Sequence, residues 1–259
     1  MIKAIFFDID GTLVSFKSHT VPRSTVDAIN EAKKNGIKIF IATGRSFPQI
    51  PDLGNLQFDG YITLNGAYCI TDKDDIVVKN PIPEDDIKAL LTYLENGQQF
   101  PCSFMTKDKI SINYVNQRVE EMARLVNLPV PGIIDIHEAA KDEIFQINVY
   151  VDEDVERQLM KDIFIHCDSS RWNHLFADIN VQGNSKQTGI DEFLKYYDLR
   201  IEETMAFGDG GNDMSMLKHV AIGVAMGNAK DQVKAVADYV TDSVDDDGVR
   251  NALVHYNII

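Results

Sequence analysis

Asp8 and Asp10 stand two residues apart in Phe7-Asp8-Ile9-Asp10-Gly11-Thr12-Leu13. Carboxylates serve as nucleophiles, as general acids and bases, and as ligands for hard cations. The stretch from Ile2 to Asp8 is an apolar run ending in aspartate, as expected of a buried parallel strand. Side chains alternate along a strand, so both carboxylates leave it on the same side. An Asx turn closing the strand would account for one aspartate but poorly for two around an isoleucine. Three further apolar runs end in polar groups: Ile39-Phe40-Ile41-Ala42 at Thr43, beside Gly44; Ile62-Thr63-Leu64 at Asn65; and Ala206-Phe207-Gly208 at Asp209. The last opens the run Gly208-Asp209-Gly210-Gly211-Asn212-Asp213. Any one of these is an ordinary cap or turn former. The four together predict a ligand site, because open parallel sheets bind ligands at the carboxyl ends of their strands.

The elements that must position these residues read as βα repeats in two stretches. In the first, up to about residue 80, a helix is predicted over Pro22 to Asn35 and strands over Ile37 to Ala42 and Gly60 to Leu64. The second runs from about Lys186 to the end, with helices over Gln187 to Tyr197, Asn212 to Lys218 and Lys230 to Ala237, and strands over Thr204 to Gly208 and Ala221 to Ala225. Asp245-Asp246-Asp247 is expected to open a last helix, where acidic residues favour the positive end of the dipole. Between the stretches the rhythm changes. A helix starts after Pro83, helical segments lie at Arg118 to Val126 and Glu153 to Ile163, and short strands at Lys109 to Tyr114, Phe145 to Val151 and Asp178 to Val181. The expected division is a core of residues 1–81 and 184–259 with an α+β insertion over 82–183, punctuated by Pro81, Pro83 and Gly183.

Composition narrows the function. The chain has 259 residues, 44% of them apolar and 25% charged, which is globular rather than disordered. A net charge of −15 repels nucleic acid backbones, so nucleic acid is an unfavourable partner. It also repels phosphorylated metabolites, so a phosphate site here requires local cations, backbone N–H groups or a bound metal ion. No apolar run approaches the ~20 residues of a membrane span. The apolar stretch before Asp8 is too short for a signal peptide, and a cytoplasmic location is expected. Cys69, Cys102 and Cys167 are read as buried free thiols, and the six histidines show no metal-ligand spacing.

These residues resemble the motifs of the haloacid dehalogenase superfamily, in its Cof-type branch of sugar phosphatases. Asp8-Ile9-Asp10-Gly11-Thr12, Thr43-Gly44-Arg45, Lys186 in Gly183-Asn184-Ser185-Lys186, and Gly208-Asp209-Gly210-Gly211-Asn212-Asp213 occur in the family's order, and Asn65-Gly66-Ala67 matches a further signature. The resemblance implies an α/β fold, a Rossmann-like parallel-sheet core with an inserted α+β cap domain. It implies Mg²⁺ held by the Asp8 carboxylate, the Asp10 backbone carbonyl and Asp209, with Asp213 acting directly or through a metal-bound water. Asp8 would be the nucleophile and Asp10 the general acid and base. Thr43, the backbone near Gly44, Lys186 and Asn212 would bind the phosphoryl group. Arg45 would reach substrate or pair with an acidic neighbour. The cap would read the leaving group, with Arg171, Trp172, Phe176 and Asp178 as candidates. The partner is then a small-molecule phosphate monoester, with the oligomeric state left open. A phosphomutase would share the same intermediate. A phosphoacceptor signalling module is disfavoured by the chain's length and by Asp10, which would drain the phosphorylated state.

Overall fold

A computed structural model describes residues 1–125 and 128–259, apart from the Trp172 side chain. The chain forms two units, one of Met1–Arg45, Gln49–Lys79 and Ser185–Ile259, the other of Ser46–Pro48 and Asn80–Asn184. In chain order the first unit begins with β1 (Ala4–Phe7), α1 (Arg23–Lys34), β2 (Lys38–Ala42), β3 (Gly60–Thr63), β4 (Tyr68–Thr71) and β5 (Ile76–Lys79). The second unit follows with α2 (Glu84–Glu95), β6 (Cys102–Met105), β7 (Ile110–Ile112), α3 (Gln117–Leu125), β8 (Gly132–Ile133), α4 (Ile136–Ala139), β9 (Gln146–Val149), α5 (Glu153–Asp162), β10 (Cys167–Asn173) and β11 (Phe176–Val181). The first unit resumes with α6 (Lys186–Tyr197), β12 (Thr204–Gly208), α7 (Met214–His219), β13 (Ile222–Ala225), α8 (Asp231–Lys234), β14 (Tyr239–Val240) and α9 (Gly248–His255).

The first unit's sheet has the order β14-β13-β12-β1-β2-β3-β4-β5. It is parallel from β14 to β3, and β4 and β5 close it as antiparallel strands. Its central strands are apolar throughout because helices cover both faces. On one face Ile5, Phe7, Ile39, Ile41 and Phe207 pack with Ala28 and Ile29 of α1 and Ala252 and Leu253 of α9. On the other, Phe6, Phe40, Ile62 and Ala206 pack with Ile190 and Phe193 of α6 and Met216 of α7. Stacked rings tie neighbouring strands, Phe6 on Phe40 and Phe7 on Phe207, each pair with centroids 4.8 Å apart. In register, Phe7 lies between Ile41 and Phe207, so the three strands run out together and their next polar residues converge.

The second unit is a six-stranded sheet, β10-β11-β9-β6-β7-β8, with one apolar face. Cys102, Phe104, Ile147, Val149, Ala177 and Ile179 cluster there with Leu90 and Leu94 of α2 and Leu159 of α5. Strand alternation gives the other face to Ser103, Asn148 and Asp178, which are ladder partners across β6, β9 and β11.

Several elements differ from the sequence reading. The β4–β5 hairpin was not anticipated; it turns at Asp72-Lys73-Asp74-Asp75, where Asp74 takes φ +64°. Helix α8 stops at Lys234 rather than running to Ala237. Asp245-Asp246-Asp247 does lead into α9, with Asp247 at its N-cap, but Asp245 and Asp246 sit in a short 3-10 turn and the helix's own first turn holds no acidic residue. Asp245 instead accepts from the Ser15 hydroxyl, and Asp247 from that of Ser24. Val126, the last residue of a predicted helical stretch, lies outside the described residues. Cys69, Cys102 and Cys167 are buried free thiols. Among the described residues no helix is long and apolar enough to cross a membrane.

Asp178 carries a consequence for stability. It accepts from the Gln146 Nε2 amide at 3.1 Å, and burial pushes its carboxyl up to about 7. In the unfolded chain it titrates near its ordinary value, about 4. Below that pH both states are protonated and the group costs nothing. As pH rises from about 4 through 7 the folded state resists ionisation, and stability falls. Asp178→Asn keeps the accepting oxygen and removes the charge. It is therefore expected to match wild type near pH 4 and to exceed it by about 4 kcal/mol at pH 8.5, about three units at roughly 1.4 kcal/mol each. Urea unfolding at the two pH values measures this; parallel curves would contradict it.

Candidate active site

Asp8 leaves β1 with its N–H donated to the Phe207 carbonyl at 3.0 Å, and its side chain is buried. Its Oδ1 accepts from Lys186 Nζ at 2.5 Å, and the same Nζ donates to Asp213 Oδ1 at 2.6 Å. Lys186 opens α6, where Ser185 and Thr188 form a reciprocal capping box. A lysine in a first helical turn opposes the helix dipole, and here the two carboxylates hold it in place, with no side-chain surface exposed. Asp213 turns its other oxygen back on its own loop, where Oδ2 accepts the N–H groups of Asp209 (2.9 Å) and Gly210 (2.8 Å). Asp209 accepts from the Thr12 hydroxyl at 3.1 Å and from Asn228 Nδ2 at 3.3 Å. Gly11 turns with φ +82°, and a Cβ there would come within 2.4 Å of Asp209 Oδ2, so only glycine lets the two strand ends meet.

Asp8, Asp209 and Asp213 each offer an oxygen, all within 4.8 Å of one another. Their crowding has electrostatic consequences. Burial raises the Asp8 carboxyl well above its usual range; Lys186 opposes that, while Asp213 and Asp209 add to it. Asp209 is pushed up to about 7, first by burial and then by Asp213. Burial disfavours the Lys186 ammonium, but Asp213 and Asp8 outweigh it and keep the lysine charged. Three carboxyl groups thus crowd one fixed cation, which pairs with two of them. An all-oxygen set with unneutralised negative charge fits a hard divalent ion such as Mg²⁺.

A second group lies at the tips of β2 and β3. Arg45 holds Asp10 by both oxygens, Nε to Oδ2 at 2.6 Å and Nη2 to Oδ1 at 2.8 Å, while Nη1 donates to the Gln49 carbonyl at 2.7 Å. The Arg45 N–H donates to Thr43 Oγ1 at 3.1 Å, which leaves the hydroxyl proton available for another acceptor. Asn65 takes φ +53°, and its Oδ1 accepts from Asn212 Nδ2 at 3.0 Å. A Cβ on Gly44 would come within 3.4 Å of both amides. The sequence left Arg45 between substrate and an acidic neighbour, and the structure pairs it with Asp10.

The remaining candidates lie in the second unit. The Arg171 guanidinium is committed to Glu156 (2.7 Å), the Val151 carbonyl (2.9 Å) and the His174 carbonyl (2.9 Å). It braces β10 against α5, contrary to its expected contact with substrate. Phe176 is buried, with its ring centroid 5.9 Å from that of Tyr150 in a small apolar cluster. That is core packing, not a stacking platform. The Trp172 side chain lies outside the described residues, and Asp178 sits on the polar face of the sheet.

Asn228 was missed. Its Nδ2 also donates to the Gly11 carbonyl at 2.9 Å and its Oδ1 accepts the Val244 N–H, so it clamps the turn that carries Asp10 to the one that carries Asp209. The signal was present, since Asn228 stands just beyond the apolar strand β13.

Comparison with known proteins shows what the chain as a whole is similar to. Residues 5–253 match the model of the haloacid dehalogenase-like hydrolase family. YkrA of Bacillus subtilis is 34% identical over 259 residues, 99% of this chain and 98% of that protein. Among solved structures, BT1666 from Bacteroides thetaiotaomicron, described among phosphatases of the HAD superfamily, superposes with a TM-score of 0.91 at 40% identity, covering 100% of this chain and 96% of its own. BT4131, described as a HAD subclass IIB sugar phosphatase, superposes with a TM-score of 0.87 at 44% identity over 99% of this chain and 100% of its own.

Proposed function

The chain belongs to the haloacid dehalogenase-like hydrolases, and from that premise we propose that it is a Mg²⁺-dependent phosphatase of small phosphate monoesters, sugar phosphates foremost, acting through an aspartyl-phosphate on Asp8. The observation that carries this reading is the buried cluster in which Asp8 and Asp213 share Lys186 while Asp209 stands beside them. Asp8, Asp209 and Asp213, with the Asp10 backbone carbonyl, would hold the metal. When bound, Mg²⁺ supplies the second positive charge that lets a dianionic ester approach a carboxylate.

The chain's own groups do the rest. An Asp8 carboxylate oxygen forms a bond to phosphorus as the bond from phosphorus to the leaving oxygen breaks. Asp10 gives its proton to the leaving oxygen, then takes one from the water that attacks the aspartyl-phosphate. Two N–H groups of Lys186 are given to Asp8 and Asp213, and the third would meet a phosphoryl oxygen, where it stabilises developing charge. The Thr43 hydroxyl would donate to a second oxygen. Asn212, held by Asn65, would orient the group. The second unit, with Asp178 on its polar sheet face, would read the leaving group. The sugar phosphatase activity of BT4131, at 44% identity, supports a sugar as that group.

The test is a panel of sugar phosphates assayed for free phosphate. Release is expected with Mg²⁺, lost on chelation and restored when the metal is returned. Isomerised sugar phosphate without free phosphate, or turnover indifferent to chelator, would contradict the proposal.

A further inference from the structure

Resting on the reading of Asp10 as acid and base, we propose that Arg45 is the positioning residue of the Asp10 carboxyl and not a ligand of the substrate phosphate. The two carboxylates of the first strand are divided between two cations, Asp8 with Lys186 and Asp10 with Arg45. The Asp10 contact is bidentate, so it fixes the plane of the carboxyl as well as its place. All three guanidinium nitrogens are engaged, the third on the Gln49 carbonyl. The Arg45 backbone is pinned at both ends, its N–H on Thr43 Oγ1 and its carbonyl accepting the Leu64 N–H at 3.0 Å. Asp10 is thereby referenced to the tips of β2 and β3, on the side where Thr43 would meet the phosphoryl group. Both side chains are only partly exposed, 22% and 35% for Arg45 and Asp10, so solvent weakens the pair less than a fully exposed one.

Orientation matters in one half of the chemistry more than elsewhere. When the ester bond breaks, an alkoxide leaving oxygen must receive the Asp10 proton as the bond from Asp8 to phosphorus forms. With one lone pair on each Asp10 oxygen taken by Arg45, the proton must ride on a remaining lone pair, and a carboxyl that swings freely presents it to the leaving oxygen less often. A phenolate such as p-nitrophenolate leaves without a proton. Lysine offers a point charge where Asp10 is held by a planar fork, so it is an incomplete replacement.

Single-turnover rapid quench of wild type, Arg45→Gln and Arg45→Lys, with a sugar phosphate and with p-nitrophenyl phosphate, separates the possibilities. For Arg45→Gln the release of sugar should slow by about 10- to 100-fold. Release of p-nitrophenol should change by less than about threefold, with the half-saturating concentration of both substrates in the single-turnover phase held within the same margin. Arg45→Lys should recover only part of the loss, and it carries the test if the glutamine variant does not fold. Equal slowing of both substrates, a shared rise in the half-saturating concentration, or no slowing at all would overturn the assignment while leaving the phosphatase reading intact. A wild type that hydrolyses neither substrate would overturn that reading and this one with it.

Discussion

Asp8→Asn abolishes phosphate release while leaving the fold at least as stable as wild type. Asparagine matches aspartate in shape but has no nucleophilic oxygen anion, so kcat should fall by about 10⁴-fold or more. The stability half of this expectation comes from the crowding of the cluster. Burial and two neighbouring carboxylates already burden the Asp8 charge in the metal-free protein. Neutralising it leaves Lys186 paired with Asp213 and relieves that repulsion. Phosphate release with Mg²⁺ and thermal melting in chelator, on one preparation, check both halves. Residual activity within about tenfold of wild type would remove Asp8 from the nucleophile's role.

Lys186→Met has the opposite signature, because it takes away the cation that two buried carboxylates share. Breaking a buried pair by deleting one partner costs about 3–5 kcal/mol, since the other charge is left uncompensated. Here two carboxyl groups lose the cation they share, and Asp213 is fully buried. Methionine fills much of the lysine's volume, so packing loss contributes little. Urea unfolding in chelator should register that loss. Adding Asp213→Asn to the same background should restore part of it, because one of the orphaned charges is gone. A loss below about 1 kcal/mol, or no recovery in the double variant, would mean that solvent already compensates these carboxylates.

Much of this site was legible in the sequence, for a physical reason. Parallel strands covered on both faces are apolar to their ends, so Asp8, Thr43 and Asp209 stand out as the first polar residues beyond them. The same rule applied to β13 would have found Asn228. What the sequence did not disclose was partnership. The Asp10–Arg45 pair spans 35 residues and exists because β1 and β2 are adjacent and parallel. Lys186 was expected at the site, but its wedging between Asp8 and Asp213 depends on where α6 begins and how the loop after β12 folds back on itself. Arg171 was a candidate for reading the leaving group because its carboxylate partner, Glu156, stands on α5, and only packing brings the two together. Helix α8 is shorter than its propensity suggests because Asp238 is drawn into the sheet, donating its N–H to the Gly223 carbonyl. Tertiary pairing overrides local preference there.

Trapping the covalent intermediate tests the central claim most directly. The enzyme is quenched in acid during turnover of a sugar phosphate with Mg²⁺, reduced with borohydride, and mapped by peptide mass spectrometry. An acyl phosphate is reduced to the alcohol, so Asp8 should be recovered as homoserine in turnover samples and as aspartate in samples quenched without substrate. Steady phosphate release with Asp8 unmodified, or with the reduced residue elsewhere in the chain, would contradict an aspartyl-phosphate at the tip of the first strand.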